Sequence, residues 1–151
     1  MADTTTQDDA PAGFTPLVPG GTWLAQAGPL YQKEAPNGGV VIGLRLAQKH
    51  TNMRGIAHGG MLVTLADSAL GRNMHLTRKP SAPMVSVNLS TDFLGAAKVG
   101  DWLEAHVQVR KHGARLSFAE CELRVGEKVV VRCSGVFAVV EPIANKEVPE
   151  G

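Results

Sequence analysis

An α+β domain, with a curved antiparallel sheet wrapped around one long central helix, is predicted by three features of this chain. Between Gly59 and about Thr77 the apolar residues recur with a helical period, and no other stretch sustains that period for as long. From Val85 onward the period becomes two, in successive segments separated by short turn sequences, as in hairpin-linked antiparallel strands. A lone apolar helix among such strands must lie in the curve of their sheet to lose its contact with water.

Taken in order, residues 1–12 read as a disordered tail, residues 13–140 as a single domain and residues 141–151 as a flexible C-terminal tail. The stretch from Phe14 to Tyr31 is broken by Pro16, Pro19, Gly20, Gly21, Gly28 and Pro29, so it can hold only short helical pieces around Trp23 and Leu24 before an extended segment begins. Residues 40–46 form a strand. In the helix, Met61, Leu65 and Ala69 make one apolar stripe and Leu62, Ala66 and Leu70 an adjacent one, the mark of a mostly buried element. After Pro80 and Pro83, Val85, Val87, Leu89 and Phe93 fall on one face of a half-buried strand, with Ser86, Asn88, Ser90 and Asp92 on the other. Leu103, Ala105, Val107 and Val109 alternate with Glu104, His106, Gln108 and Arg110, and two more strands follow over residues 116–125 and 128–140.

The chain has 151 residues, enough for one ordinary core, with 44% hydrophobic and 19% charged residues, the balance of a globular protein. A net charge of +1 supplies no global field to hold nucleic acid or an anionic membrane, so an anionic ligand must be met by a local cluster. No run of about 18 apolar residues exists, and the start is acidic and polar where a leader would be basic and then apolar, which makes the cytoplasm the expected location. Cys121 and Cys133 flank a turn at Gly126-Glu127. A three-residue loop would set them face to face and a two-residue loop on opposite faces; free buried thiols are expected.

The chemistry-bearing residues cluster at the helix start. Asn52 precedes His58-Gly59-Gly60, and Asp67 follows two turns into an otherwise apolar segment. The glycines allow a ligand oxygen to approach backbone N–H groups at the positive end of the helix dipole. Thioester hydrolysis needs such donors for the developing oxyanion and a carboxylate to activate water or attack directly. Gly60 and Asp67 are seven residues apart, nearly on one face but separated by about 10 Å along the axis. One helix cannot easily supply both to one carbonyl, so the carboxylate is expected to serve a partner subunit's helix start across a two-fold interface. Asp67 has no cation at i±3 or i±4 to neutralise it.

Ser86, on the polar face of the following strand, can orient water for that carboxylate. Ser68 points about 100° away from Asp67 on the helix and is a weaker partner. His58 beside the glycines is read as placing the loop, since a proton near the positive helix end is disfavoured. No histidine or cysteine has metal-ligand spacing, so no metal site is expected. The basic turn Arg110-Lys111-His112-Gly113-Ala114-Arg115 is either a solvated hairpin or a place where Arg110, Lys111 or Arg115 meets phosphates.

Asn52, His58-Gly59-Gly60, Leu65-Ala66-Asp67 and Val85-Ser86-Val87-Asn88-Leu89 together resemble the PaaI-like branch of the hotdog-fold acyl-CoA thioesterases, over about residues 28–140. The resemblance implies a hotdog fold, paired subunits that commonly form tetramers, and hydrolysis of an acyl-CoA to free acid and coenzyme A with no cofactor. It implies that the Gly59 N–H polarises the thioester carbonyl, that Asn52 holds substrate or water, and that Asp67 from the other subunit is base or nucleophile. Ser86 takes the place of a water-orienting serine, and His58 is structural; Gly60 and Ser68 sit beside them as substrate-positioning candidates. The basic turn falls where relatives contact coenzyme A phosphates. The hydratase branch pairs its aspartate with a histidine five residues away, where this chain has Arg72, so hydratase chemistry is disfavoured. A protein that only binds or senses acyl-CoA is the rival expectation, and the polar residues before Phe14 are too few for a DNA-reading helix pair.

Overall fold

The computed structural model describes residues 10–143 of the chain. In chain order the elements are β1 (Thr15–Leu17), α1 (Thr22–Ala27), β2 (Leu30–Glu34), β3 (Val40–Arg45), α2 (Gly59–Thr77), β4 (Met84–Phe93), β5 (Trp102–His112), β6 (Leu116–Val125) and β7 (Lys128–Val139). The strands form one seven-stranded sheet in the order β1-β2-β3-β5-β6-β7-β4, with every neighbouring pair antiparallel. This is the architecture expected from the sequence. The expected tails lie outside the described residues except for residues 10–12 and 141–143, which join no helix or strand.

The long helix packs against the inner face of the sheet because its apolar residues leave no other stable place for it. Leu62, Leu65, Ala66, Ala69, Leu70 and Met74 are buried against Ile42, Leu44, Leu103, Ala105, Cys121, Leu123, Val131 and Phe137. Ala66 and Ala69, fully buried, let the helix backbone sit close to the strands, while each buried leucine contributes about 1.5–3 kcal/mol. The one polar residue of that face, Asn73, is matched on every side: its Oδ1 accepts from the Val40 N–H at 2.9 Å and its Nδ2 donates to the Val40 and Ala69 carbonyls at 3.0 and 2.9 Å. It grips the first residue of β3 as a neighbouring strand would.

Three expectations need correction. First, β1 is a strand where only broken helical pieces and an extended lead were expected; its Pro16 is tolerated because β1 lies at a sheet edge. Second, β4 does not keep one alternation. Ser86 pairs with Phe137 and Asn88 with Val136, so Val87 is an extra residue in a bulge. The helix-facing set therefore switches from Met84 and Ser86 to Leu89, Thr91 and Phe93, and β4 is mostly exposed, since it forms the other sheet edge. Third, the two-residue turn at Gly126-Glu127 should offset the cysteines, but the pairing shifts between Leu123 and Arg124 and leaves Cys121 directly opposite Cys133. Both are free and buried, and burial, chiefly, pushes both thiols up.

Candidate active site

The start of α2 is pinned from two sides. The Ala57 N–H donates to the Ala97 carbonyl and the His58 N–H to the His50 carbonyl, both at 2.8 Å. The preceding loop closes through the Asn52 N–H to Ile56 carbonyl bond at 2.9 Å and turns at Gly55, whose φ of 75° lies in the region that favours glycine. Asn52 spends its Oδ1 on the Arg54 N–H at 2.9 Å, inside this turn.

His58 is the N-cap of α2. Its Nδ1 accepts from the Gly60 N–H at 2.9 Å, which places the imidazole proton on Nε2, and its carbonyl accepts from the Leu62 N–H at 3.0 Å. A Cβ at position 60 would stand 3.1 Å from the His58 ring, and one at position 59 would stand 3.3 Å from the Phe93 ring. Glycine at both positions thus admits two rings against the backbone. Among the described residues, the Gly59 and Met61 N–H groups donate no hydrogen bond. They leave two open donors at the positive end of the helix.

Further along α2, Asp67 accepts from the Ser86 hydroxyl at 2.6 Å. The bulge at Val87 lies beside this contact: Ser86 faces the helix from the half of β4 before it. Asp67 makes no ion pair among the described residues. Within one protomer Gly59 and Asp67 are eight residues apart, about 12 Å along the axis, so the structure does not bring the open donors and the carboxylate together. Ser68 makes no side-chain hydrogen bond among the described residues.

One residue that the sequence reading passed over supports the site from beneath. Buried His50 receives the Ala47 N–H on Nδ1 at 2.9 Å and donates from Nε2 to the Ala27 carbonyl at 2.6 Å, while its own carbonyl holds His58. Both ring nitrogens are used as a neutral imidazole uses them, and burial lowers its pKa below the usual 6.5. Its partners lie across chain gaps that carry no local pattern.

The basic turn is placed differently from its components. Arg110 is tied to Glu120 at 2.7 Å on the outer surface, while Lys111 and Arg115 are exposed. The Gly113 N–H is taken by the Leu116 carbonyl at 2.7 Å, and a Cβ there would meet that oxygen at 2.8 Å, so this glycine serves the tight turn. Arg78, the C-cap of α2, reaches the Gly113 carbonyl at 2.8 Å and the Ser117 hydroxyl at 3.0 Å. Among the described residues no group of three His, Cys, Asp or Glu is gathered as a metal would require.

The family model described as "Thioesterase superfamily" matches residues 54–132, which include His58, Gly59, Gly60, Asp67 and Ser86. The chain is 46% identical over 129 residues to "Putative esterase PA0474" of Pseudomonas aeruginosa, covering 85% of this chain and 96% of that one. It is 32% identical over 80 residues to acyl-coenzyme A thioesterase 13 of Mus musculus, covering 53% of this chain and 56% of the mouse protein, little more than half its length. The solved structure of the E. coli PaaI protein, from the phenylacetic acid degradation operon, superposes with a TM-score of 0.71 at 24% identity, covering 80% of this chain and 86% of that one, a likeness of fold.

Proposed function

Since the chain belongs to the thioesterase superfamily, we propose that this hotdog-fold thioester hydrolase cleaves an acyl-CoA or aryl-CoA to free acid and coenzyme A, at a site shared by two copies of the chain. The observation that carries the reading is the separation of two half-sites on one helix. Among the described residues, no carboxylate accepts from the open N–H groups of Gly59 and Met61, and no backbone N–H donates to the Asp67 carboxylate. Two copies packed across a two-fold axis bring each half-site to the other's complement. The exposed edge of β4, with Val85, Val87, Phe93 and Leu94 uncovered, supports a second copy at that side.

In the reaction we envisage, the thioester carbonyl accepts from the Gly59 N–H, and the helix dipole favours charge building on that oxygen. Asp67 of the opposite copy takes a proton from water as it attacks, or attacks the carbonyl itself to form an acyl–Asp67 anhydride that water then cleaves to the free acid and the carboxylate; Ser86 keeps that carboxylate aimed. On either course the C–S bond breaks and coenzyme A leaves as its thiolate. The amide nitrogen of Asn52, which makes no hydrogen bond among the described residues, is the group left to touch substrate or water, and His58 maintains the helix start. Lys111 and Arg115, with Arg110 when it parts from Glu120, would meet the coenzyme A phosphates. Coenzyme A enters only as part of the substrate. The resemblance further leads us to expect tetramers of these dimers, working in the cytoplasm.

Thiol release from a panel of acyl-CoAs tests the reading. Asp67→Asn is expected to lose about 10²–10⁴-fold in kcat with the fold intact. Undiminished turnover in that variant would remove Asp67 from the chemistry, and no turnover in either protein would point to a binding role alone.

A further inference from the structure

Beside the helix start lies a cavity of about 370 Å³ between α1 and α2, lined among others by Trp23, Ala27, His58, Gly60, Met61 and Thr64. It is at the small end of ligand pockets, which run from about 300 to 1,000 Å³. It opens next to the free Gly59 and Met61 N–H groups, at the N-terminal end of the helix, about 10 Å along the axis from the Asp67 of the same copy. We propose that this cavity receives the acyl group of the thioester and selects short apolar acyl chains or a single aromatic ring, with Trp23 and Ala27 setting the limit. The proposal rests on the thioesterase reading and names its substrate class.

Two observations carry it. Most polar groups on the wall are already satisfied internally: His50 by Ala27 and Ala47, the Thr51 hydroxyl by the Gln48 carbonyl at 2.7 Å, the Thr64 hydroxyl by the Gly60 carbonyl at 3.0 Å, and Lys49 by the Gly28 carbonyl. What remains for a ligand among the described residues is the His58 Nε2–H and the Gln26 amide at the edge, and otherwise the carbon of Met61, Ala27 and Trp23, so most of the wall rewards an apolar group. Trp23 is 72% exposed, with its indole N–H held, among the described residues, by the Thr64 hydroxyl alone at 3.4 Å. A large aromatic surface left open on a short helix with no buried residue gains most from covering an apolar ligand. A thioester carbonyl at the Gly59 N–H would have its acyl carbon chain turned into this cavity and its sulfur toward the outside.

The test uses the whole protein and non-hydrolysable S-alkyl-CoA thioethers, so it does not depend on turnover. S-hexyl-CoA is expected to blue-shift tryptophan emission while coenzyme A alone does not, and Trp23→Phe should abolish the shift. Ala27→Leu, at a half-buried position outside the core, is expected to weaken S-hexyl-CoA at least tenfold more than coenzyme A, and Trp23→Ala to improve S-hexadecyl-CoA relative to S-hexyl-CoA. Equal emission with both ligands, absence of S-hexyl-CoA binding, or an unchanged binding ratio in Ala27→Leu would overturn the assignment. A protein that gives the shift but releases no thiol from hexanoyl-CoA would sink the hydrolase reading and leave the pocket standing.

Discussion

The hydroxyl of Ser86 stands 2.6 Å from the Asp67 carboxylate and is the only side chain that orients it among the described residues. Removing one such bond costs about 0.5–1.5 kcal/mol, so Ser86→Ala is expected to lower kcat up to about tenfold with KM little changed, as steady-state kinetics would show. An unaltered kcat would mean that Asp67 needs no aiming. His50 and His112 are both held below the usual 6.5, each mainly by burial. The unfolded chain therefore binds more protons than the folded one just below that value. Their contribution to stability is full above pH 6.5 and is lost as pH falls through their folded values, so denaturation midpoints should drop over that window and His50→Gln should flatten the drop. Asp67, Gly59 and His58 are legible in the sequence because a glycine pair and a lone carboxylate stand out against an apolar helix. His50 is not, because its role comes from backbone groups of Ala27 and His58 that no local pattern announces.

At the scale of elements, period alone exposes α2 and the strands β3 to β7, since each carries its apolar residues in a regular repeat, although β4 at the sheet edge buries none of them fully. β1 escapes notice because it is three residues long and contains Pro16. The three bulges, at Val87, Arg110 and Val130, escape because one inserted residue reverses inside and outside without changing composition, and it is this reversal near Val87 and Val130 that decides where Ser86 and Cys133 point. What holds α2 to β3 is equally local. Asn73 satisfies both backbone groups of Val40, so Asn73→Leu would leave buried donors and acceptors unpaired. A loss of about 2–4 kcal/mol is expected in chemical denaturation. A variant as stable as the parent would show that water or a shifted strand replaces those bonds.

For the molecule as a whole, one protomer is a sheet with a bare edge and a helix carrying two incomplete half-sites. The edge strand β4 has ten residues, with apolar side chains exposed along it, and nothing in the described residues covers it. The sequence makes a shared site legible only through helix geometry, because the surface that joins two copies is written as ordinary exposed valine and phenylalanine. The most direct measurement is thiol release after refolding Asp67→Asn together with a variant whose helix start is blocked, such as Gly59→Val, each inactive alone. Random pairing makes about half the dimers mixed, each with one complete site, so about a quarter of the parental activity is expected to return. A mixture no more active than its two components would contradict the shared site.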